Sequence, residues 1–358
     1  MKKNNFLLPL SAALLSLALL TGCSPRTGDS GGDETQSSTT ALAQTQATVE
    51  KEEPVVVRGE FVLEPSVEAE KIYYYQTTQP CDFAVIETET GVGLIDYSGN
   101  LILPPTQYYI DPSQTVLGGT EVRLRAVDSD GNEYWVRTDG SLENAYVNGW
   151  GGSQGAQIWW DEEKNEPVLF IFSGSAWKSY FSYQTYNANV KPYFHLGVLV
   201  PEAPTVMAVK SITGYEIDES GRPSVENESD RYGLLDLVTG EMLTDFIFEK
   251  AGSLGTINGV IALKKDGKWG YYNEAGEQLT DFVYDDSGEN VSEEMLPALN
   301  GYVIVTSGGC KGLIDTAGNT VLSPVFEDLS QVNPNGMLWV KQDGKWGVMQ
   351  LDGFAVNA

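Results

Sequence analysis

Lys264-Lys265-Asp266-Gly267-Lys268-Trp269-Gly270-Tyr271-Tyr272-Asn273-Glu274-Ala275-Gly276 and Val340-Lys341-Gln342-Asp343-Gly344-Lys345-Trp346-Gly347-Val348-Met349-Gln350-Leu351-Asp352-Gly353 are two copies of one pattern. The Asp-Gly pairs at 266–267 and 343–344 follow apolar runs, and both residue types accept the positive φ of a type I′ hairpin turn. One strand therefore enters each turn and a second, carrying the Trp-Gly pair, leaves it. Three further copies keep the glycine and lose the tryptophan: Val92-Gly93-Leu94-Ile95-Asp96-Tyr97-Ser98-Gly99, Tyr232-Gly233-Leu234-Leu235-Asp236 and Lys311-Gly312-Leu313-Ile314-Asp315-Thr316-Ala317-Gly318. Self-similarity at a period of about 40 residues marks a repeat architecture.

Each copy reads as a three-stranded antiparallel meander. The first strand is a short apolar run such as Val260-Ile261-Ala262-Leu263 or Tyr302-Val303-Ile304-Val305, which suits a strand covered on both faces. The second holds the Trp-Gly position, and a glycine turn (Gly99, Gly276, Gly318) leads to a third, such as Asn319–Phe326. Pro105 and Pro324 fall near the middle of third strands; proline cannot donate to a ladder, so these strands belong at module edges. First strands fall near 83, 122, 168, 206, 260, 302 and 337, which gives seven modules. The longest interval contains 213–231, an insertion with Asp218, Glu219, Glu226, Glu228 and Asp230 that reads as a solvated loop.

The two ends of the repeat region complement each other. Gly59-Glu60-Phe61-Val62-Leu63-Glu64-Pro65 aligns with the third strand Gly318-Asn319-Thr320-Val321-Leu322-Ser323-Pro324, whereas the last module stops soon after Gly353, before its own third strand is complete. A first strand that completes the last module closes a ring, as in β-propellers. The expected fold is all-β, a propeller-like ring of about seven modules. An open curved β-repeat array is the alternative, because propeller blades have four strands and the sequence pattern supplies three.

The pattern resembles the WG, or KWG, repeat family of bacterial proteins, named for its Trp-Gly pair. Of the five copies, only those at 269–270 and 346–347 carry the pair intact; the resemblance spans most of 83–358, strongly from 232 onward. It implies an interaction module with no activity common to the family. In such a repeat, Gly270 and Gly347, with Gly93, Gly233 and Gly312 at the same position, are expected to permit close backbone approach. Trp269 and Trp346 are expected to cover the neighbouring module.

The start of the chain carries an address. Lys2 and Lys3 precede a mostly apolar run from Phe6 to Leu20, followed by Leu20-Thr21-Gly22-Cys23: a basic region, an apolar region and a processing site. The last four residues resemble the lipobox of bacterial lipoproteins, which implies cleavage before Cys23 and lipid on its thiol. The apolar run, broken by Pro9, is short of the roughly 20 residues that a bilayer span needs. Residues 1–22 are therefore expected to be a lipoprotein signal peptide, 23–53 a lipidated, disordered tether and 54–358 the repeat domain. Residues 24–53 are rich in Ser, Thr, Gly, Asp, Gln and Ala and have no aromatic residue, so they cannot bury enough apolar surface to offset the entropy of ordering. As a flexible coil they reach about 30 Å. The expected location is extracytoplasmic, with the membrane touched through the lipid anchor only.

Removing the signal peptide takes away two lysines and no acid, which leaves 20 basic and 50 acidic side chains and a formal charge of −30. Such a surface repels phosphate backbones, so nucleic acid is not an expected partner. Beyond Cys23, only Cys81 and Cys310 remain, in non-adjacent modules and too few for a disulfide scaffold.

Few residues carry chemistry. His195 is the one histidine, so no multi-histidine metal site is available. Gly151-Gly152-Ser153-Gln154-Gly155 matches the serine-hydrolase elbow in letters but lies in a glycine-rich loop of an all-β domain. Asp128-Ser129-Asp130-Gly131-Asn132-Glu133 looks like a calcium loop, yet later ligand positions are unfilled and the stretch falls where the repeat needs a turn. No phosphate-cradling loop or dinucleotide fingerprint appears, and neither a metal nor a cofactor is expected. The most unusual stretch is 146–195, where Trp150, Trp159, Trp160, Trp177 and Tyr180 accompany Asp161, Glu162 and Glu163. Rings stack on sugars or anchor protein partners, and carboxylates hydrogen-bond hydroxyls. The same rings also suit the core of a degenerate third module. Adjacent strand residues point to opposite faces, so Trp159 and Trp160 should part company. The expected partner is an envelope protein or glycan. The rival is an envelope-glycan hydrolase working through a carboxylate pair.

Overall fold

The computed structural model describes residues 54–74, 82–106, 109–115, 124–128, 130–136, 142–144, 154–173, 176–182, 206–219, 223–252, 259–287 and 298–354. All regular structure among them is β. After β1 (Gly59–Val67), module 1 holds β2 (Lys71–Tyr73), β3 (Phe83–Thr88), β4 (Gly91–Asp96) and β5 (Leu101–Thr106). Module 2 holds β6 (Tyr109–Thr115), β7 (Leu124–Val127), β8 (Glu133–Val136) and β9 (Leu142–Asn144); module 3 holds β10 (Gln154–Asp161), β11 (Glu166–Ser173) and β12 (Ala176–Ser182). Module 4 is β13 (Val206–Ile212) and β16 (Tyr232–Asp236), with β14 (Tyr215–Ile217) and β15 (Pro223–Val225) inserted between them. Module 5 is β17 (Lys250–Ala251), β18 (Val260–Lys265) and β19 (Lys268–Asn273), and module 6 is β20 (Tyr302–Ser307), β21 (Cys310–Asp315) and β22 (Thr320–Phe326). Module 7 is β23 (Asp328–Leu329), β24 (Met337–Gln342) and β25 (Lys345–Leu351).

The hairpin turns are those the dipeptides specify. Asp266 and Gly267 have φ of 53° and 77°, and Asp343 and Gly344 have 52° and 76°, so both central residues of each turn are left-handed. The first strands lie where the repeat puts them. Module 6, β20-β21-β22, is the expected three-stranded meander, whereas modules 1, 2 and 7 add a leading strand, their sheets running β2-β3-β4-β5, β6-β7-β8-β9 and β23-β24-β25-β1. In modules 1 and 7 that strand has three and two residues, too few for a periodicity to show in sequence. In modules 4 and 5 the last strand is reduced to isolated bridges, Leu235 to Met242 and Tyr232 to Phe248 in one, Tyr272 to Gln278 and Trp269 to Tyr284 in the other.

The repeat glycine has a steric cause. A β-carbon on Gly347 would lie 2.6 Å from the Leu63 carbonyl oxygen and 2.7 Å from the Pro65 nitrogen; on Gly312, 2.7 Å from Leu322 O and 2.8 Å from Pro324 N; on Gly93, 2.3 Å from Leu103 O and 2.7 Å from Pro105 N. In these three modules the last strand bulges across the glycine at its X-Pro step, with a register shift there. The prolines sit on edge strands, as their missing N–H requires.

The ring closes through its ends. β1 pairs antiparallel with β25, Phe61 opposite Met349 and Leu63 opposite Val348. A leucine of one module's last strand rests on the turn glycine of the next: Leu243 lies against Gly276, Leu279 against Gly318, and Leu63, from the start of the chain, against Gly99 of module 1. Modules 7 and 1 share one buried cluster that contains Trp339, Trp346 and Val348 together with Ile72, Val85 and Leu94. The described residues thus form a propeller-like ring of about seven modules. The segment before β1 adds a further clasp: Ser323 N–H donates to Val56 O at 2.8 Å and Arg58 N–H to Val321 O at 3.0 Å, while Val56 N–H donates to Ser323 Oγ at 2.8 Å.

The insertion at 213–231 is not simply a solvated loop. Tyr215–Ile217 and Pro223–Val225 form a hairpin whose Tyr215 packs edge-on against Phe170, centroids 5.1 Å apart, and whose Val225 joins Val168, Phe170 and Ile212. Polar composition concealed it, since only alternate residues of so short a hairpin need to be apolar.

Candidate functional site: the cleft between modules 3 and 4

Modules 3 and 4 are fused into one sheet, β12-β11-β10-β13-β16. The join is a parallel pair, β10 with β13, that meets only at Trp160–Ser211 and Asp161–Ile212. Beside it lies a cleft of about 230 Å³ lined by Ile158, Trp159, Met207, Ala208, Val209, Lys210, Glu228 and Tyr232.

Lys210 and Tyr232 in this cleft are the repeat's own Lys–Trp pair in altered form. Lys264 lies over the Trp269 ring at 5.7 Å and Lys341 over Trp346 at 5.7 Å; Lys210 lies over Tyr232 at 5.2 Å. Trp269 and Trp346 are fully buried, whereas Tyr232 is half-buried. The Lys264 ammonium is held by Asp286 at 2.7 and 3.0 Å. That of Lys210 is held by Glu228 of the insertion, at 3.2 Å, with the two side chains 25% and 41% exposed. The two acids are equally exposed, and what opens in module 4 is the lysine and the ring beneath it.

The aromatic residues divide as strand geometry requires. Trp159 faces Phe170, centroids 4.9 Å apart and nearly perpendicular, beside Ile212 and Val225. Trp160 packs on the other side, against Ile158, Leu169, Met207 and Val209. Both are half-buried. Trp177 and Tyr180 lie on β12, and Trp150 lies outside the described residues, as do His195, Cys23, Cys81 and Gly151 to Ser153. Cys310 is buried.

Asp161 is not an available acid. It is 1% exposed; its Oδ1 accepts the N–H groups of Glu163 and Lys164 at 3.0 Å each and its Oδ2 accepts Lys164 Nζ at 2.8 Å. Burial pushes its pKa up, but the hydrogen bonds and charge of Lys164 outweigh this and hold it below the usual carboxylate range. Lys164 also donates to Tyr215 Oη at 2.8 Å, which ties the inserted hairpin to module 3. Glu162 and Glu163 beside it are exposed.

Other acids are likewise consumed by structure. Asp128 Oδ1 accepts the N–H groups of Asp130 and Asn132 at 2.9 Å each, which makes the calcium-like stretch a turn. Asp96 binds Ser98 and Asn100, and Asp315 binds Ala317 and Asn319, in the same way. Glu249 caps the Asp266–Gly267 turn through both oxygens at 3.1 Å, and Glu327 caps Gly344 at 2.9 Å. Among the described residues no group of three or more His, Cys, Asp or Glu is placed to hold a metal ion.

The Trp-Gly pairs have matching surroundings. Trp269 joins Val303, Val305 and Ile314 of module 6 and donates from Nε1 to Asp286 Oδ1 at 2.7 Å; Trp346 joins module 1 and donates to Ala69 O at 3.1 Å. The family model of the WG containing repeat matches residues 232–269, 269–302 and 312–346. The chain carries WG repeats. In WG terms, the tryptophan seals one module against the next and the glycine lets the last strand cross. Module 4, with Tyr232 for the tryptophan, is the WG repeat that opens on the cleft.

Among solved structures, the chain is similar to Raptor of Chaetomium thermophilum, at 11% identity and a TM-score of 0.34, covering 85% of this chain and 30% of that one. It is also similar to the AfRom2 CNH domain (9% identity, TM-score 0.29, 84% of this chain and 99% of that one) and to the Dos1 propeller (13%, 0.26, 75% of each). The chain thus spans under a third of the Raptor chain's length. The fold is assigned from the strand pairing, not from these likenesses. No curated protein matches the chain.

Sequence reasoning reached Trp159 and missed Lys210, Glu228 and Tyr232. The signal was present: Tyr232-Gly233 occupies the Trp-Gly position, and Lys210 occupies that of Lys264 and Lys341.

Proposed function

We propose that the chain is an extracytoplasmic lipoprotein, held to a membrane by lipid on Cys23, whose WG-repeat ring binds a protein or glycan partner of the cell envelope. The observation that carries the binding reading is the cleft between modules 3 and 4, where Trp159, Tyr232, Lys210 and Glu228 bring ring faces, a cation and an acid together on a rigid sheet. Such a set binds and orients; the acid nearest to it in sequence reasoning, Asp161, is engaged in its own turn.

Two measurements test it. Fractionation of cells that make the wild type or Cys23→Ser should find the first with membranes and the second in the soluble extracytoplasmic fraction; equal membrane association would sink the lipid anchor. The mature chain, incubated with solubilised envelope and with purified envelope glycan, should retain a specific component that a folded Trp150→Ala, Trp159→Ala, Trp160→Ala protein loses. Equal retention by both would remove this face from the binding reading.

A further inference from the structure

We infer that the cleft between modules 3 and 4 docks a basic segment of a protein partner, on the side of the ring turned away from the tether. This rests on the binding reading and narrows it to one partner chemistry and one face.

The size of the cleft sets the scale of what enters. At about 230 Å³ it is smaller than the roughly 300–1,000 Å³ of sites that enclose a whole small ligand. It fits a single long side chain, an anchor within a wider contact. Ile158, Trp159 and Met207 offer apolar and ring surface for the stem of such a side chain, and Glu228 offers a carboxylate for its head. An arginine has this shape: its guanidinium stacks on rings and pairs with a carboxylate in one geometry.

The surroundings select the same charge. Exposed Glu162 and Glu163 follow β10 in its turn, and the inserted hairpin with the chain leading from it carries exposed Glu216, Glu219, Glu226 and Glu228. Glu163 Oε1 reaches to 3.9 Å from where a Gly214 β-carbon would stand, so the two acidic stretches adjoin. Complementary charge steers encounter and rejects wrong partners. Lys210 is the cation among the described lining residues, and its bond to Glu228 at 3.2 Å is half open to solvent. Exposed pairs of this kind contribute little, so an incoming guanidinium displaces the lysine at small cost while Lys210 keeps the Tyr232 ring.

The position follows from the strand pairing. The chain enters the ring at Val56, which binds Ser323 of module 6, and goes on as β1 to complete module 7. The tether is therefore fixed at the boundary of modules 6 and 7. Counting from there in either direction round seven modules, module 3 is the farthest. The cleft therefore lies on the part of the ring far from the tether's point of attachment.

The test uses the mature chain without lipid (Cys23→Ser) and three probes: a fluorescent decapeptide of alternating Arg and Val, its Glu-Val counterpart, and a soluble envelope-glycan fragment. Anisotropy should show binding of the Arg-Val peptide that weakens at least tenfold in Glu228→Gln and in Trp159→Phe. It should tighten several-fold in Lys210→Met, which removes the competing cation, and stay unchanged in Glu60→Gln on module 7. Equal weakening by Glu60→Gln would reduce the effect to net charge and overturn the site. Binding of the Glu-Val peptide lost in Lys210→Met, or of the glycan alone, would overturn the partner chemistry. If envelope capture succeeds but the Arg-Val peptide fails to bind, this inference falls while the binding reading stands; if capture also fails, both fall.

Discussion

The indole N–H of Trp346 donates to the carbonyl oxygen of Ala69 at 3.1 Å, across 277 positions of sequence. Trp346 ends the repeat array and Ala69 precedes its first module, so this bond lies on the seam of the ring. Trp269 makes the corresponding bond to Asp286 between modules 5 and 6. The seam is built as an internal boundary is built.

Trp346→Ala should therefore destabilise the ring as much as Trp269→Ala, each by about 3–5 kcal/mol for the loss of a fully buried indole. Urea unfolding followed by circular dichroism measures both. A negligible cost at Trp346 beside a full cost at Trp269 would mean that the seam is open in solution.

Gly347→Ala and Gly312→Ala force a β-carbon to within 2.7 Å of a backbone carbonyl oxygen that cannot move without breaking the edge strand. Each should cost more than Gly344→Ala, which meets nothing within 4 Å and bears only the strain of φ +76°, roughly 1 kcal/mol. Comparing the three midpoints under one condition decides it.

Deleting residues 54–58 removes the clasp on β22 but leaves β1 in place. The loss of its few hydrogen bonds should lower stability by about 1–3 kcal/mol and leave the fold intact. Deleting 54–67 removes β1 as well and should expose the amides of β25, read as a loss of hydrogen-exchange protection there.

Asp161 gives a pH signature. Its folded pKa is depressed, by Lys164 against the opposing effect of burial, so its contribution is present above the ordinary carboxylate range and lost as pH falls through the depressed value. Asp161→Asn should cost about 1.5–3 kcal/mol at pH 7, with the difference from wild type shrinking in acid. Chemical denaturation between pH 7 and pH 3 tests this; a difference independent of pH would assign the cost to shape alone.

Much of the fold was legible because it is local chemistry repeated. Asp-Gly must turn as Asp266–Gly267 and Asp343–Gly344 do, and the likeness of 59–65 to 318–324 gave away the closing strand. The leading strands were not legible, since Asp328–Leu329 and Lys250–Ala251 are shorter than any period. The hairpin within 213–231 was hidden too: what makes it pack is Phe170, distant in sequence from Tyr215 and Val225.

For the site, sequence supplied ingredients without an address. It put aromatic rings and acids in one stretch, and strand alternation correctly parted Trp159 from Trp160. It could not show that Asp161 turns inward to its own backbone, or that Glu228 crosses to Lys210, because a carboxylate looks alike in sequence whether it caps a turn, pairs with a lysine or faces water. By itself, then, the sequence determined the turns and the strand alternation, set by steric preferences of a few adjacent residues, and it offered a closing strand that the long-range pairing of β1 with β25 seats. Which acids and rings meet at the boundary of modules 3 and 4 was decided by tertiary structure alone, since long-range packing brings together side chains that no local rule relates.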